Sequence, residues 1–300
     1  MIPGPCLAAV ALAVAALLQV APASPPSVLA DRVMALTRQS QWTRVAAIPI
    51  TFRTFHPQGL VKIGDRLFVS SVEVHDRAAG KGVGHLYQID MRGNLISELK
   101  IGDGAMYHPG GLDYDGRHIW VAVAEYRPDS RSIVYRVDPG TMTAAEVFRF
   151  DDHLGALAIN PDDRTLQGVS WGSRFFYRWT LDATGRVTNA GARPETLRIP
   201  NPSHYVDYQD CKYAGRRRML CTGVSAMSGG GAAPLRLGGI DLVSLEDHRP
   251  VHQVPVPLSV NAVALTQNPV WLEPSGPGLR GYFMPEDDAS TLYVYEIRTP

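Results

Sequence analysis

FHPQGLVKIGDRLFVSSVEV, residues 55–74, and YHPGGLDYDGRHIWVAVAEY, residues 107–126, are two versions of one pattern. Each opens on His-Pro, passes through a small or apolar stretch, turns at Gly or Asp ahead of an Arg, and enters a strongly β-forming strand. The pattern returns as DHLGALAINPDDRTLQGVSW (152–171), SHYVDYQDCKYAGRRRMLCTGVS (203–225) and, with a longer turn, VNAVALTQNPVWLEPSGPGLRGYFMPED (260–287). The openings are His56, His108, His153, His204 and Asn261, separated by 52, 45, 51 and 57 residues. A repeat of that period is the length of a four-stranded blade of a β-propeller.

Two further strands follow in each unit. HLYQIDM (85–91), SIVYRVD (132–138), FFYRWTLD (175–182), LRLGGIDLV (235–243) and TLYVYEIR (291–298) alternate apolar and polar residues, as third strands should. LISELKI (95–101), AAEVFRF (144–150), PETLRIP (194–200) and RPVHQVPVP (249–257) read as fourth strands. The fifth unit ends at Pro300 without one. TRVAAIPITF (43–52), ahead of the first unit, can supply it and close the ring, which removes an open edge. The expectation is an all-β, five-bladed β-propeller over residues 43–300. A short helix within residues 27–40, capped by Ser27, should lie on its outside.

Residues 7–21, LAAVALAVAALLQVA, are apolar and uncharged, and Ala21-Pro22-Ala23 fits a small-residue cleavage site. The run is shorter than the roughly 20 residues of a membrane span. A signal peptide over residues 1–23 is expected, although residues 1–6 carry no Lys or Arg; a membrane anchor is the alternative. The mature chain would be secreted or periplasmic and free of the membrane. Cys211 and Cys221 then remain, flanking one turn, and a disulfide is expected, with two reduced thiols as the alternative. The charge is balanced, 29 basic against 29 acidic residues, so no global field draws nucleic acid. A monomer is expected.

In a propeller the start of each innermost strand and the end of the next lie on one face. That face would gather His56, His108, His153, His204 and Asn261 with Glu73, His75, Glu125, Arg127, Trp171, Arg174, Ser225, Glu286 and Asp287. Converging imidazoles at about 2.1 Å would bind a divalent ion such as zinc, manganese or iron. The metal set would be His56, His108, His153 and His204. Glu73 or Glu125 would act as general base or orient a ligand, with His108 and His153 as catalytic groups. Arg127 and Arg174 would clamp a carboxylate or phosphate, Trp171 would stack on a sugar or other ring, and Asn261 and Glu286 would complete the substrate contacts. These residues fit a metal-assisted hydrolase or lyase acting on a small polar or carbohydrate-like substrate. A non-catalytic module binding a ligand or protein is the alternative, and polar groups satisfied at the axis by ordered water are the structural one.

Three shorter motifs carry less. Gly168-Val169-Ser170-Trp171-Gly172 matches G-x-S-x-G, but a strand rather than a helix should follow it. Asp113-Tyr114-Asp115-Gly116 reads as a hairpin turn rather than a calcium loop. Ser228-Gly229-Gly230-Gly231 reads as a flexible connector.

The starts FHPQGL, YHPGGLDYDG and DHLGALAINPDD resemble those of a family of secreted bacterial and fungal propellers with no assigned activity, over most of the chain beyond residue 43. The resemblance implies the fold alone. In plan the chain is also similar to gluconolactonase-type propellers, which are calcium-dependent six-bladed rings with Glu, Asn and Asp about the metal. His stands at the corresponding places here, which makes calcium the less expected ion. Uronate lyases with His-rich metal sites share the plan at fold level only.

Overall fold

The computed structural model describes Met1, residues 26–227 and residues 235–299. The expected leader and the 228–231 connector lie outside these residues. Among those described, no helix is long and apolar enough to cross a membrane.

The chain is all-β and propeller-like, built from antiparallel meanders. One sheet is β2 (His56–Ile63), β3 (Arg66–Asp76), β4 (Lys81–Asp90) and β5 (Leu95–Ile101). The next meander is β6 (Met106–Tyr114), β7 (Ile119–Glu125), β8 (Ser132–Asp138) and β9 (Thr143–Phe150). It is followed by β10 (Leu154–Asn160), β11 (Thr165–Ser170), β12 (Phe175–Thr180) and β13 (Ile199–Pro200). One parallel bridge, Ala156 to Gly111, joins these two meanders into an eight-stranded sheet. Then come β14 (Asp207–Gly215), β15 (Arg218–Met227), β16 (Leu235–Ser244) and β17 (Pro250–Val256). After a two-stranded hairpin, β18 (Ser259–Val260) and β19 (Val263–Ala264), the last sheet is β20 (Val270–Ser275), β21 (Gly278–Phe283) and β22 (Thr291–Arg298). Its fourth strand is β1 (Gln41–Pro49), which pairs antiparallel with β22 from Gln41–Arg298 to Pro49–Thr291.

Five buried apolar clusters each join two successive meanders. Leu112 and Val121 meet Val61 and Phe68. Trp120 and Phe150 meet Leu157 and Trp179. Ala156 and Phe176 meet Tyr208 and Cys211. Ile240 and Leu242 meet Leu272 and Phe283. Tyr282 and Leu292 meet Leu60 and Tyr87. The packing runs round a circuit and returns to its start, so apolar burial, at about 25 cal/mol per Å², holds every meander on two sides. Cys211 and Cys221 are register partners on β14 and β15 and form a buried disulfide.

Three local expectations are corrected. Residues 194–197 form a helical turn, α2 (Pro194–Leu197), and only Ile199–Pro200 pairs as a strand, because Pro194 favours the first turn of a helix. In the last unit the innermost strand starts at Val270, not near Asn261; residues 259–264 fold into their own hairpin with Asn261 at φ 47° in its turn. The helix α1 (Pro26–Met34) begins one residue before the expected cap Ser27. It lies on the outside with Asp31 and Met34 exposed. Ala30, Val33 and Leu36 are buried against Ile240, Leu265 and Leu279, so α1 fills the wedge between the β14–β17 and β20–β22 sheets.

Candidate functional site

The innermost strands β2, β6, β10 and β14 approach so closely that side chains are excluded where they meet. A Cβ on Gly110 would stand 2.2 Å from the Gly155 carbonyl oxygen, and one on Gly59 would stand 2.6 Å from the Leu112 nitrogen. These glycines follow the repeat histidines because the axis has no room there for anything larger. Just beside them each strand carries a β-bulge, leaving Gln58, Gly155 and Gln209 as extra residues in β2, β10 and β14, and one extra residue within Pro109–Leu112 of β6. A bulge turns its neighbours out of the regular alternation. Two residues ahead of the bulge at Gln58 stands His56, of that at Gly155 stands His153, and of that at Gln209 stands Asp207; His108 stands two ahead of Gly110.

All of these face one cavity of about 310 Å³. Its wall is His56, His108, His153, Tyr126, Trp171 and Tyr208, with the amides Gln58, Gln209, Gln267 and Asn268 and the charged side chains Asp207 and Arg236. Below it the axis is filled. The Asp210 carboxylate, 0 % exposed, accepts the backbone N–H groups of Leu60 and Leu112 and pairs with Lys212 at 2.6 Å. Lys212 also donates to the Leu112 carbonyl, and Asp113 accepts from Ile159 and Tyr213. Two buried carboxylates thus bolt four inner strands together. Burial raises the pKa of both, Asp113 to about 7, and the Lys212 ammonium acts against that rise at Asp210.

The three imidazoles are held differently. His153 Nδ1 lies 3.0 Å from the Glu125 carbonyl oxygen and 3.1 Å from that of Arg127. Carbonyls only accept, so Nδ1 carries the hydrogen and Nε2, on the side of Gly155, carries the lone pair. Burial lowers the His153 pKa to about 4. His56 Nδ1 donates to Asp287 at 2.7 Å, and Asp287 is itself fixed by Asn268 at 2.9 Å. The residue before it, Phe55, stands at φ 57°, and its carbonyl accepts the Asp288 N–H; Thr54 N–H bonds the Asp288 carbonyl. That strained clamp presses His56 against the 286–288 loop. His108 has no hydrogen-bond partner at its buried Nδ1 and lies flat on Tyr126 with ring centres 4.0 Å apart. Burial, then the charges of His153, His56 and Arg77, hold its pKa well below the ordinary value. Trp171 stands edge-on to His153 at 4.7 Å, and the Arg77 guanidinium rests 4.0 Å over Tyr126.

Other residues expected at this site lie elsewhere. His204 is exposed and contacts Arg174, which pairs with Asp207 at 2.6 Å. Asn261 is exposed and contacts Glu286, which Tyr293 also reaches. Glu125 is clasped by Arg127 and Arg131 at 2.6 and 2.9 Å. Burial works to raise its pKa, and the two guanidiniums outweigh it, leaving the carboxyl below its ordinary range. Glu73 lies against His75 and the buried His85, whose ring is stacked between Phe55 and Tyr87. Ser170, on the cavity wall, accepts from the Phe175 N–H, and a single 3-10 turn over Trp171–Ser173 leads into the strand β12 rather than into an α-helix. Among the described residues no three His, Cys, Asp or Glu side chains come together as a metal group. His56 and His153 are each engaged through Nδ1, and the His108 and His153 ring centres stand 5.5 Å apart.

A circuit of antiparallel meanders with a polar cavity at its axis defines a propeller-like protein. The chain belongs to the Family of unknown function (DUF6454), which it matches over residues 14–299. Comparison with curated protein sequences finds no match. Among solved structures it is similar to hydrazine synthase of Kuenenia stuttgartiensis (TM-score 0.38, 17% identity, 76% of this chain and 61% of that chain). It is also similar to a GH43 endo-arabinanase from Bacillus licheniformis (0.49, 10%, 83% and 96%) and a hypothetical protein from Leishmania major (0.53, 8%, 86% and 91%). The chain therefore spans less than two thirds of the hydrazine synthase chain. The likeness in plan to gluconolactonase-type propellers gains no support from these comparisons.

Proposed function

We propose that this chain is an exported five-bladed propeller that binds a small polar, ring-bearing molecule of carbohydrate-like character in its axial cavity and moves a proton on it, as a hydrolase or lyase does. Five blades follow from counting the eight-stranded sheet as two meanders joined by a single bridge, and the five apolar clusters support that count. Export is supported by the apolar run at 7–21 and by the disulfide.

One observation carries the chemistry. Imidazoles from three successive inner strands open on one cavity, and two of them have the far nitrogen locked, His56 to Asp287 and His153 to two carbonyls. A locked Nδ1–H leaves the lone pair on Nε2, the atom through which an imidazole acts as a general base. His56, its Nδ1–H given to Asp287, can take a proton at Nε2, and Trp171 offers a ring face to stack on.

Intrinsic fluorescence and calorimetry with sugars, sugar acids and their lactones test the reading. Binding should quench Trp171 in the native chain. Trp171→Ala should weaken binding about tenfold or more, the scale of a lost ring stack. His56→Gln and His153→Gln should leave binding in place and abolish any turnover. Turnover that survives both substitutions would remove the proton-transfer role, and ligands bound without turnover would leave a binding module.

A further inference from the structure

The cavity's charges are unevenly spent. Of the arginines near its mouth, Arg174 is neutralised by Asp207 and Arg127 by Glu125. Arg77 lies over the Tyr126 and Trp171 rings, at 4.0 and 5.7 Å. Arg236, at the start of β16, differs. It lines the cavity, and its Nη1 donates at 3.1 Å to Gln267, another lining residue. No carboxylate pairs with it among the described residues. The neighbouring imidazoles of His108 and His153 are held neutral by burial, so they add no cation of their own.

A guanidinium oriented by an amide and lining one cavity with the Trp171 ring is a receptor for a planar anion. We infer that the molecule held in this cavity is a small ring-bearing carboxylate, its carboxylate against Arg236 and its ring toward Trp171. The inference rests on the binding reading above and names the ligand class for that same cavity.

Calorimetry on the purified chain with three matched pairs decides the matter: glucuronate and glucose, galacturonate and galactose, benzoate and benzyl alcohol. In at least one pair the acid should bind about tenfold tighter than its neutral partner, as expected of a charge-assisted contact. Arg236→Gln should bring the two within about twofold without moving the melting temperature, whereas Trp171→Ala should weaken both alike. Raising the salt from low to high concentration should narrow the preference in the native chain. If in every pair that binds the neutral partner binds as tightly as its acid, or the preference survives Arg236→Gln, the anchor is overturned and the cavity reading stands. If no member of any pair binds and the Trp171 emission does not move, both readings fall together.

Discussion

Burial keeps the His153 ring neutral to about pH 4, against an ordinary value near 6.5, and the sign of the consequence is fixed. As the pH falls from about 6.5 to about 4 the unfolded chain takes up a proton that the folded chain refuses. Stability is therefore lost across that window, by up to about 1.4 kcal/mol per pH unit from this group, and it is unaffected by His153 above it. His248, buried and bonded to Gln167, has the same depressed value and the same sign. Denaturant unfolding of His153→Gln between pH 4 and 7 should show a shallower acid slope than the native chain. Nitrogen NMR should find the native His153 with hydrogen on Nδ1 throughout. Asp210 is the other telling residue. Asp210→Ala strands two backbone N–H groups and the Lys212 ammonium in the interior, at a cost of about 3–5 kcal/mol in urea unfolding. Asp210→Leu with Lys212→Met should cost less than Asp210→Ala alone, because no unpaired charge remains buried.

At the scale of elements, β1 and the hairpin β14–β15 carry separable predictions. Removing residues 26–49 bares the β22 edge and uncovers the Ile240 and Leu279 side of the wedge. The shortened chain should aggregate in size-exclusion chromatography, as unpaired edges do. Replacing Cys211 and Cys221 by Ser opens a loop of 10 residues and should lower stability by about 2–3 kcal/mol while the β14–β15 pairing persists. The repeat period made most strands legible, since alternation and turn residues recur at each blade length. Residues 194–200 misread because Pro194 and Glu195 suit a helical turn as readily as an edge. Asn261 misread because an apolar run at 260–264 mimics an inner strand that starts further on.

For the whole molecule, register decides which residues face the cavity. His56, His108 and His153 were readable as the openings of repeat copies, and in the structure each stands two residues ahead of a bulged or glycine position. Applied to β14 the same offset gives Asp207, and His204, three residues earlier, falls on the loop. The signal was present in Tyr208-Gln209-Asp210, but nothing in residue type marks a bulge without its pairing partner. Arg236, Gln267 and Asn268 were missed for a different reason: Arg236 opens a third strand, which is not expected on the cavity face, and Gln267 and Asn268 precede β20 in the copy whose inner strand is expected to start at Asn261.

The salt bridge of Asp210 with Lys212 also governs traffic. Because it stands across the axis with the inner strands drawn against it, whatever enters must leave by the same mouth. A ligand exchanges through that opening alone, so a bound molecule must depart before the next one enters.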